Sequence, residues 1–157
     1  WDQIAADELT CSLIADGHHL PTSVIKSIIR AKSPERCVLV SDITGLGGMP
    51  PGKYTSTGIG DVEILENGRL VVPGQSQLLA GAALPIGAGI VTLLEKVGLD
   101  LDTAIHMASI GPANIIRHEF APLAVDAPVD LVFFQISNGK FEVDTTVNRG
   151  RIVYQAS

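Results

Sequence analysis

RCVLVSDITG, residues 36 to 45, is the stretch on which the fold turns. Cys37, Val38, Leu39 and Val40 form an unbroken apolar run, which predicts a strand buried on both faces, as in a parallel sheet. The run stops at Ser41-Asp42, with Thr44-Gly45 behind it. Loops leaving the C-terminal ends of parallel strands build the clefts of α/β enzymes, so a carboxylate at that lip is a candidate for chemistry. An Asp after a strand also serves as an Asx-turn or helix cap, and this stretch by itself favours that plainer reading.

Length and composition bound the rest. The chain has 157 residues, enough for one core but short of the roughly 250 of a complete (β/α)8 barrel. It is 46% hydrophobic with 16 Gly and only 18% charged, against about 25% charged in an ordinary domain. Such a surface expects a cover, and the opening at Trp1 in mid-pattern is read as the start of a piece. Net charge is -6 with scattered Lys and Arg, which argues against nucleic acid. No membrane span or signal peptide is apparent. Cys11 and Cys37 lack CxxC spacing and fall in expected strands, so they read as reduced core thiols, consistent with a cytoplasmic setting.

Leu9 to Ala15 repeats the opening design: an apolar run that ends in Asp16-Gly17-His18-His19. Pro21-Thr22 then start a helix with Val24, Ile25, Ile28 and Ile29 on one face and Lys26, Arg30 and Lys32 turned elsewhere. Ser33-Pro34 end it before the Cys37 strand. Strand, helix and strand over this length make a βαβ unit with parallel strands, so both polar clusters face one cleft. Gly45 to Gly60 is Gly- and Pro-rich and reads as a loop; it lacks the phosphate-loop pattern. Glu66-Asn67-Gly68, between apolar runs, predicts a hairpin. Within LLAGAAL, 78 to 84, Gly81 would allow either a close backbone approach to a ligand or a tightly packed helix start. Helices follow over 85–97, over 101–108 with Asp100 as N-cap, and from Gly111 to Ile116. Strands are expected over 129–134, 141–147 and 151–154, a change of pattern that marks a second domain.

A carboxylate and a histidine at adjacent strand ends can serve as general base and hydrogen-bond donor, or as two ligands of a metal. His106 and His118 read as exposed or capping histidines of helical segments. Alternation near a strand end lets only one of His18 and His19 face the cleft.

Taken in order, ADGHHL at 15–20, RCVLVSDIT at 36–44, GLGGMPPGKY, the ENGRLVVPG hairpin, LLAGAAL, DTAIHMASIGPANII, VDLVFF and NRGRIVY resemble the C-terminal portion of the N-acetylglucosamine-6-phosphate deacetylases, a family of the amidohydrolase superfamily. The resemblance implies an α/β fold: the last βα units of a (β/α)8 barrel over 1–118, with a hairpin excursion at 58–74, then strands of a small β-sandwich over 119–157. It implies that Asp42 ends the eighth barrel strand, meets the metal through its bound water or as a weak direct ligand, serves that water as general base, and then acts as acid toward the departing amine. The histidine of ADGxH maps onto His19 and contacts substrate, and Leu79, Ala80 and Gly81 lie beside the sugar. The implied cofactor is a divalent metal, zinc by expectation, whose remaining ligands belong to earlier strands that this chain does not contain. The implied partners are an amino-sugar phosphate substrate, the missing N-terminal barrel half and further copies in a homo-oligomer, with neither nucleic acid nor membrane. The departure lies at Ala121 to Pro128, where the family has a Gly-rich turn. Against the deacetylase fragment stand two alternatives, a non-catalytic binding or oligomerisation module and a dihydroorotase-like amidohydrolase. By itself the chain is expected to hydrolyse nothing and to hold no catalytic metal tightly.

Overall fold

The computed structural model describes residues 1–118 and 124–156; the domain boundary expected at 119 and the first residues of the Ala121 to Pro128 departure lie outside them. β1 (Cys11–Leu13) and β2 (Cys37–Leu39) run parallel in a two-stranded sheet, with Cys11, Ser12 and Leu13 opposite Cys37, Val38 and Leu39. The amide of Val40 continues the ladder by donating to the Leu13 carbonyl. The crossover is α2 (Thr22–Lys32), preceded by a short helix α1 (Asp2–Ala5) and followed by a 3-10 turn at Pro34–Arg36. The βαβ unit is therefore present as the apolar runs imply. β2 is buried throughout, whereas Ser12 in β1 is exposed. Among the described residues each of these strands pairs on one side only, and the difference in burial follows from the helices later in the chain, which pack on β2.

Two details of α2 depart from the expected face. Val24 is exposed, because Ile25 and Ile29 fill the contact with the core. Lys32, assigned to the outside, is only 5% exposed, and its ammonium donates to the carbonyl of Ala6. A long aliphatic stem can be buried where a backbone acceptor waits for its tip.

The segment after β2 holds more order than a loop. β3 (Gly52–Ser56), β4 (Gly60–Ile64), β5 (Leu70–Val72) and β6 (Gln75–Gly81) form an antiparallel sheet in that order. The hairpin around Asn67-Gly68 stands as expected, but the antiparallel unit is wider than 58–74. β3 corrects the reading of Gly45 to Gly60 as loop throughout: Lys53, Tyr54 and Thr55 pair with Glu63, Val62 and Asp61. Its Gly-rich flanks masked a period-2 run. LLAGAAL is neither a helix start nor a free backbone, since its first four residues finish β6.

α3 (Ile86–Thr92) runs on into a π-helical turn at Leu93–Val97, which Gly98 closes in a left-handed conformation at φ 86. α4 (Leu101–Ala108) starts at Asp100, whose carboxylate accepts from the amide and hydroxyl of Thr103. α5 (Ile110–Ile115) completes the helical layer, which packs on β2. Leu13, Ile25, Leu39, Leu93 and Met107 are essentially solvent-free within one cluster, and each contributes on the order of 1.5–3 kcal/mol by burial. Cys37 sits in the same cluster as a free thiol. Burial pushes it up to about 11, and Cys11 opposite adds to the shift.

β7 (Leu131–Ser137), β8 (Lys140–Asn148) and β9 (Arg151–Gln155) form an antiparallel meander. Phe134 stacks on Phe141 at 4.3 Å, and Phe141 with Ile136 joins the helical core. Gly87 in α3 permits that contact, because a Cβ there would meet the Phe141 side chain at 2.8 Å. Val132, Phe133, Ile152, Val153 and Tyr154 remain exposed on this meander.

Candidate active site

Parallel pairing carries the two polar clusters to one end of the β1–β2 sheet. Asp16 to His19 leave β1 there, and Ser41 to Thr44 leave β2. The small antiparallel sheet reaches the same place: Ile43 forms a parallel bridge with Ala82, and the Thr44 amide donates to the Ala82 carbonyl at 2.9 Å. Gly81, at φ 137, leaves room for the Thr44 methyl, since a Cβ would stand 2.8 Å from Thr44 Cγ2. Leu79, Ala80 and Gly81 thus end beside the segment that carries Asp42.

Asp42 is exposed and holds a left-handed backbone at φ 49. Asp tolerates that region better than most residues. The plainer reading, a cap or Asx-turn, finds no support: among the described residues its carboxylate makes no hydrogen bond, and the local turn bonds belong to Ser41 Oγ and Thr44 Oγ1.

The two histidines diverge. His18 Nε2 lies 3.0 Å from the Asn67 carbonyl, which ties the β1 loop to the hairpin tip. His19 Nδ1 lies 2.9 Å from Asp16 Oδ2, while Asp16 Oδ1 accepts from the amides of His18 and His19. Burial alone would push the Asp16 carboxyl up, but these bonds and the nearby His19 ring bring it below the ordinary carboxylate range. No hydrogen bond joins His19 to Asp42. Asp16 is the functional candidate that the sequence reading passed over; an Asp followed by histidines two and three residues later was the available signal. His106 and His118 lie elsewhere. His118 is exposed, and His106 lines a shallow cavity of about 150 Å3 with Pro34, Glu35, Asp102 and Thr103, at the opposite end of β2.

A catalytic zinc takes about three protein ligands plus water. Among the described residues no three His, Cys, Asp or Glu side chains gather into such a set. Asp42 and one histidine do not suffice, and His19 Nδ1 is already engaged. The described residues by themselves supply no complete ligand set for the divalent metal that the resemblance implies.

A parallel βαβ unit with a carboxylate unpaired among the described residues and a hydrogen-bonded histidine at one end is an arrangement of the α/β class. The particular likeness is to the amino-sugar phosphate deacetylases. An N-acetylgalactosamine-6-phosphate deacetylase of Escherichia coli O157:H7 is 38% identical over 104 residues, which make up 66% of this chain and 26% of that protein. The N-acetylglucosamine-6-phosphate deacetylase of Rattus norvegicus is 27% identical over 144 residues, 92% of this chain and 34% of the relative. Among solved structures, an Asp-to-Ala variant of the Mycobacterium smegmatis N-acetyl-D-glucosamine-6-phosphate deacetylase, in complex with N-acetyl-D-glucosamine-6-phosphate, shares the fold. Its TM-score is 0.81 at 24% identity, covering 96% of this chain and 39% of that one. No family model matches the chain. The chain spans 59% of an Escherichia coli K12 relative and about a third or less of the two deacetylases above. The resemblance read from the motifs stands: curated relatives and structural neighbours are deacetylases of this kind, matched over much of the chain. Among the described residues no helix is long and apolar enough to cross a membrane.

Proposed function

We propose that this chain forms the C-terminal part of an enzyme that deacetylates an N-acetylated hexosamine 6-phosphate, releasing acetate and the free amino sugar. The observation that carries the reading is Asp42, a carboxylate unpaired among the described residues at the lip of a buried parallel strand, within a segment bridged to Ala82 just after β6. Asp42 takes a proton from the water that attacks the acetamido carbonyl. It returns that proton to the nitrogen as the C–N bond breaks, so the amine leaves neutral. His19 contacts the substrate, and the backbone of Leu79 to Gly81 flanks the sugar.

In this reading 1–118 are the last βα units of a (β/α)8 barrel and the final strands belong to a small β-sandwich. The exposed apolar residues of the β7–β9 meander support a cover of that kind. The metal ligands come from strands outside this chain. Two reduced thiols fit a cytoplasmic enzyme. The names of the relatives support both the gluco and the galacto substrate, and none of the relatives reported above is a cyclic-amide hydrolase. One observation favours a non-catalytic role for the chain by itself: among its described residues no metal-binding set exists.

The test is acetate release from N-acetylglucosamine 6-phosphate and from its galacto epimer. It uses the longest polypeptide encoded in frame with this chain. Turnover of either, abolished in Asp42→Asn, supports the proposal. No release from either substrate overturns it.

A further inference from the structure

We propose that Asp16 is a positioning residue, which holds the His19 ring by Nδ1 so that Nε2 is the ring atom offered to substrate. The inference rests on the deacetylase reading only for what Nε2 meets; the hold itself stands on geometry. The Asp16 side chain is 6% exposed and that of His19 21%, so a nearly buried carboxylate carries a ring that still reaches the surface.

An Asx-turn accounts for half of this arrangement. Oδ1 receives the His18 and His19 amides at 2.9 and 3.1 Å, which suffices to close the turn through Gly17 at φ 84. The second oxygen is surplus to that task, and it meets His19 Nδ1 at 2.9 Å. An ionised carboxylate only accepts, so the proton in this contact belongs to the ring. A neutral His19 then carries hydrogen on Nδ1 and presents Nε2 bare, the way a carboxylate fixes the tautomer of a working histidine elsewhere. Among the described residues Nε2 has no hydrogen-bond partner, in contrast to His18, whose Nε2 is taken by the Asn67 carbonyl. The structure thus separates the histidines by chemistry as well as by direction: one braces the hairpin, the other is braced.

Asp16→Asn discriminates between a turn and a brace. The Asn carbonyl keeps both amide bonds and the turn, whereas its NH2 faces Nδ1 as a donor and turns that nitrogen into an acceptor. The proton then moves to Nε2. The readout is 15N NMR of the histidine-labelled chain, in solution or on a sedimented solid, at a pH where the ring is neutral, with the His19 signals assigned by their loss in His19→Gln. The parent is expected to show Nδ1 protonated and Nε2 bare, and Asp16→Asn the reverse. In the longest in-frame polypeptide the same variant should lower kcat about 10- to 100-fold with a smaller change in KM. A parent ring protonated at Nε2, or a tautomer indifferent to the substitution, overturns the proposal without any assay of activity. If the parent deacetylates nothing, the functional reading falls and the NMR result still decides the role of Asp16. An active parent whose kcat survives Asp16→Asn with an inverted tautomer also overturns it.

Discussion

Gly81→Ala should loosen the junction between β6 and the Asp42 segment, and its cost can be divided in advance. The backbone at φ 137 lies where an L side chain is strained, which costs on the order of 1–3 kcal/mol. The new Cβ would also stand 2.8 Å from Thr44 Cγ2, short of the 3.4 Å at which ordinary contact begins. The methyl cannot swing away freely, because Thr44 Oγ1 accepts from the Leu46 amide and the Thr44 amide donates to the Ala82 carbonyl. Overpacking of this sort adds about 1–3 kcal/mol. Together the two effects predict a loss of about 2–6 kcal/mol. Urea denaturation measures the total, and hydrogen exchange at the Thr44 amide shows whether the loss is local. Thr44→Ser removes the methyl and keeps the hydroxyl, so the double variant should recover about 1–3 kcal/mol, the steric part alone. A Gly81→Ala chain within about 0.5 kcal/mol of the parent, with unchanged exchange at Thr44, would refute the packing argument. A full loss with no recovery in the double variant would assign the cost to the backbone.

In the complete enzyme Asp42→Asn should lower kcat by about 10²- to 10⁴-fold while substrate still binds; near-normal turnover removes Asp42 from the mechanism. His19→Ala should damage turnover far more than His18→Ala. The latter should instead loosen the hairpin, by about 0.5–1.5 kcal/mol for the bond to Asn67, and the reverse kinetic ranking would show the wrong ring has been placed at the substrate. Because the Asp16 carboxyl is held below its ordinary value, its contribution to stability is present above about pH 4 and is lost as pH falls through the lower folded value. Asp16→Asn should therefore flatten the acid limb of a stability profile taken from about pH 6 to about pH 3, and an unchanged limb counts against the hydrogen-bond account. The 157-residue chain by itself, dialysed and assayed for zinc and for deacetylation, should show neither; stoichiometric zinc with turnover would mean that ligands arrive from another subunit.

What was legible in the sequence was what a short run can state about itself. CVLV declared a buried strand, and the spacing from LTCSLIA through one amphipathic helix declared its parallel partner, because a crossover of that length leaves few alternatives. Asp100 and Asn67-Gly68 announced a cap and a turn by local chemistry. The misses were of another kind. β3 was hidden because KYTS alternates over too few residues between glycines to signal a strand, and it is held by pairing with β4 rather than by its own pattern. Lys32 is buried by an acceptor 26 residues away, at Ala6, which no local window contains. Gly81 reads in the sequence as room for a ligand or a packed helix start, whereas in the structure it makes room for Thr44, a partner known only once β6 lies beside the β2 loop.

The two carboxylates of the candidate site show how the same residue type is prepared for opposite duties. Asp16 spends both oxygens inside the fold, on two amides and a ring nitrogen, and a group so committed has little left to give a substrate. Its bonds are worth most for fixing something else, and the thing fixed is an imidazole that still reaches solvent. Asp42 spends neither oxygen on the described residues and sits on a left-handed backbone, a region that Asp adopts more readily than most residues but less readily than Gly. Folding gains nothing visible from that carboxylate, so its position must be maintained by its surroundings: β2 on one side and the Ala82 bridge on the other. A chain under no demand at position 42 could place glycine there and relieve the backbone. An aspartate unpaired among the described residues, at the open end of a parallel pair, has its carboxylate free for the role proposed for it, that of proton acceptor to a group from outside the fold.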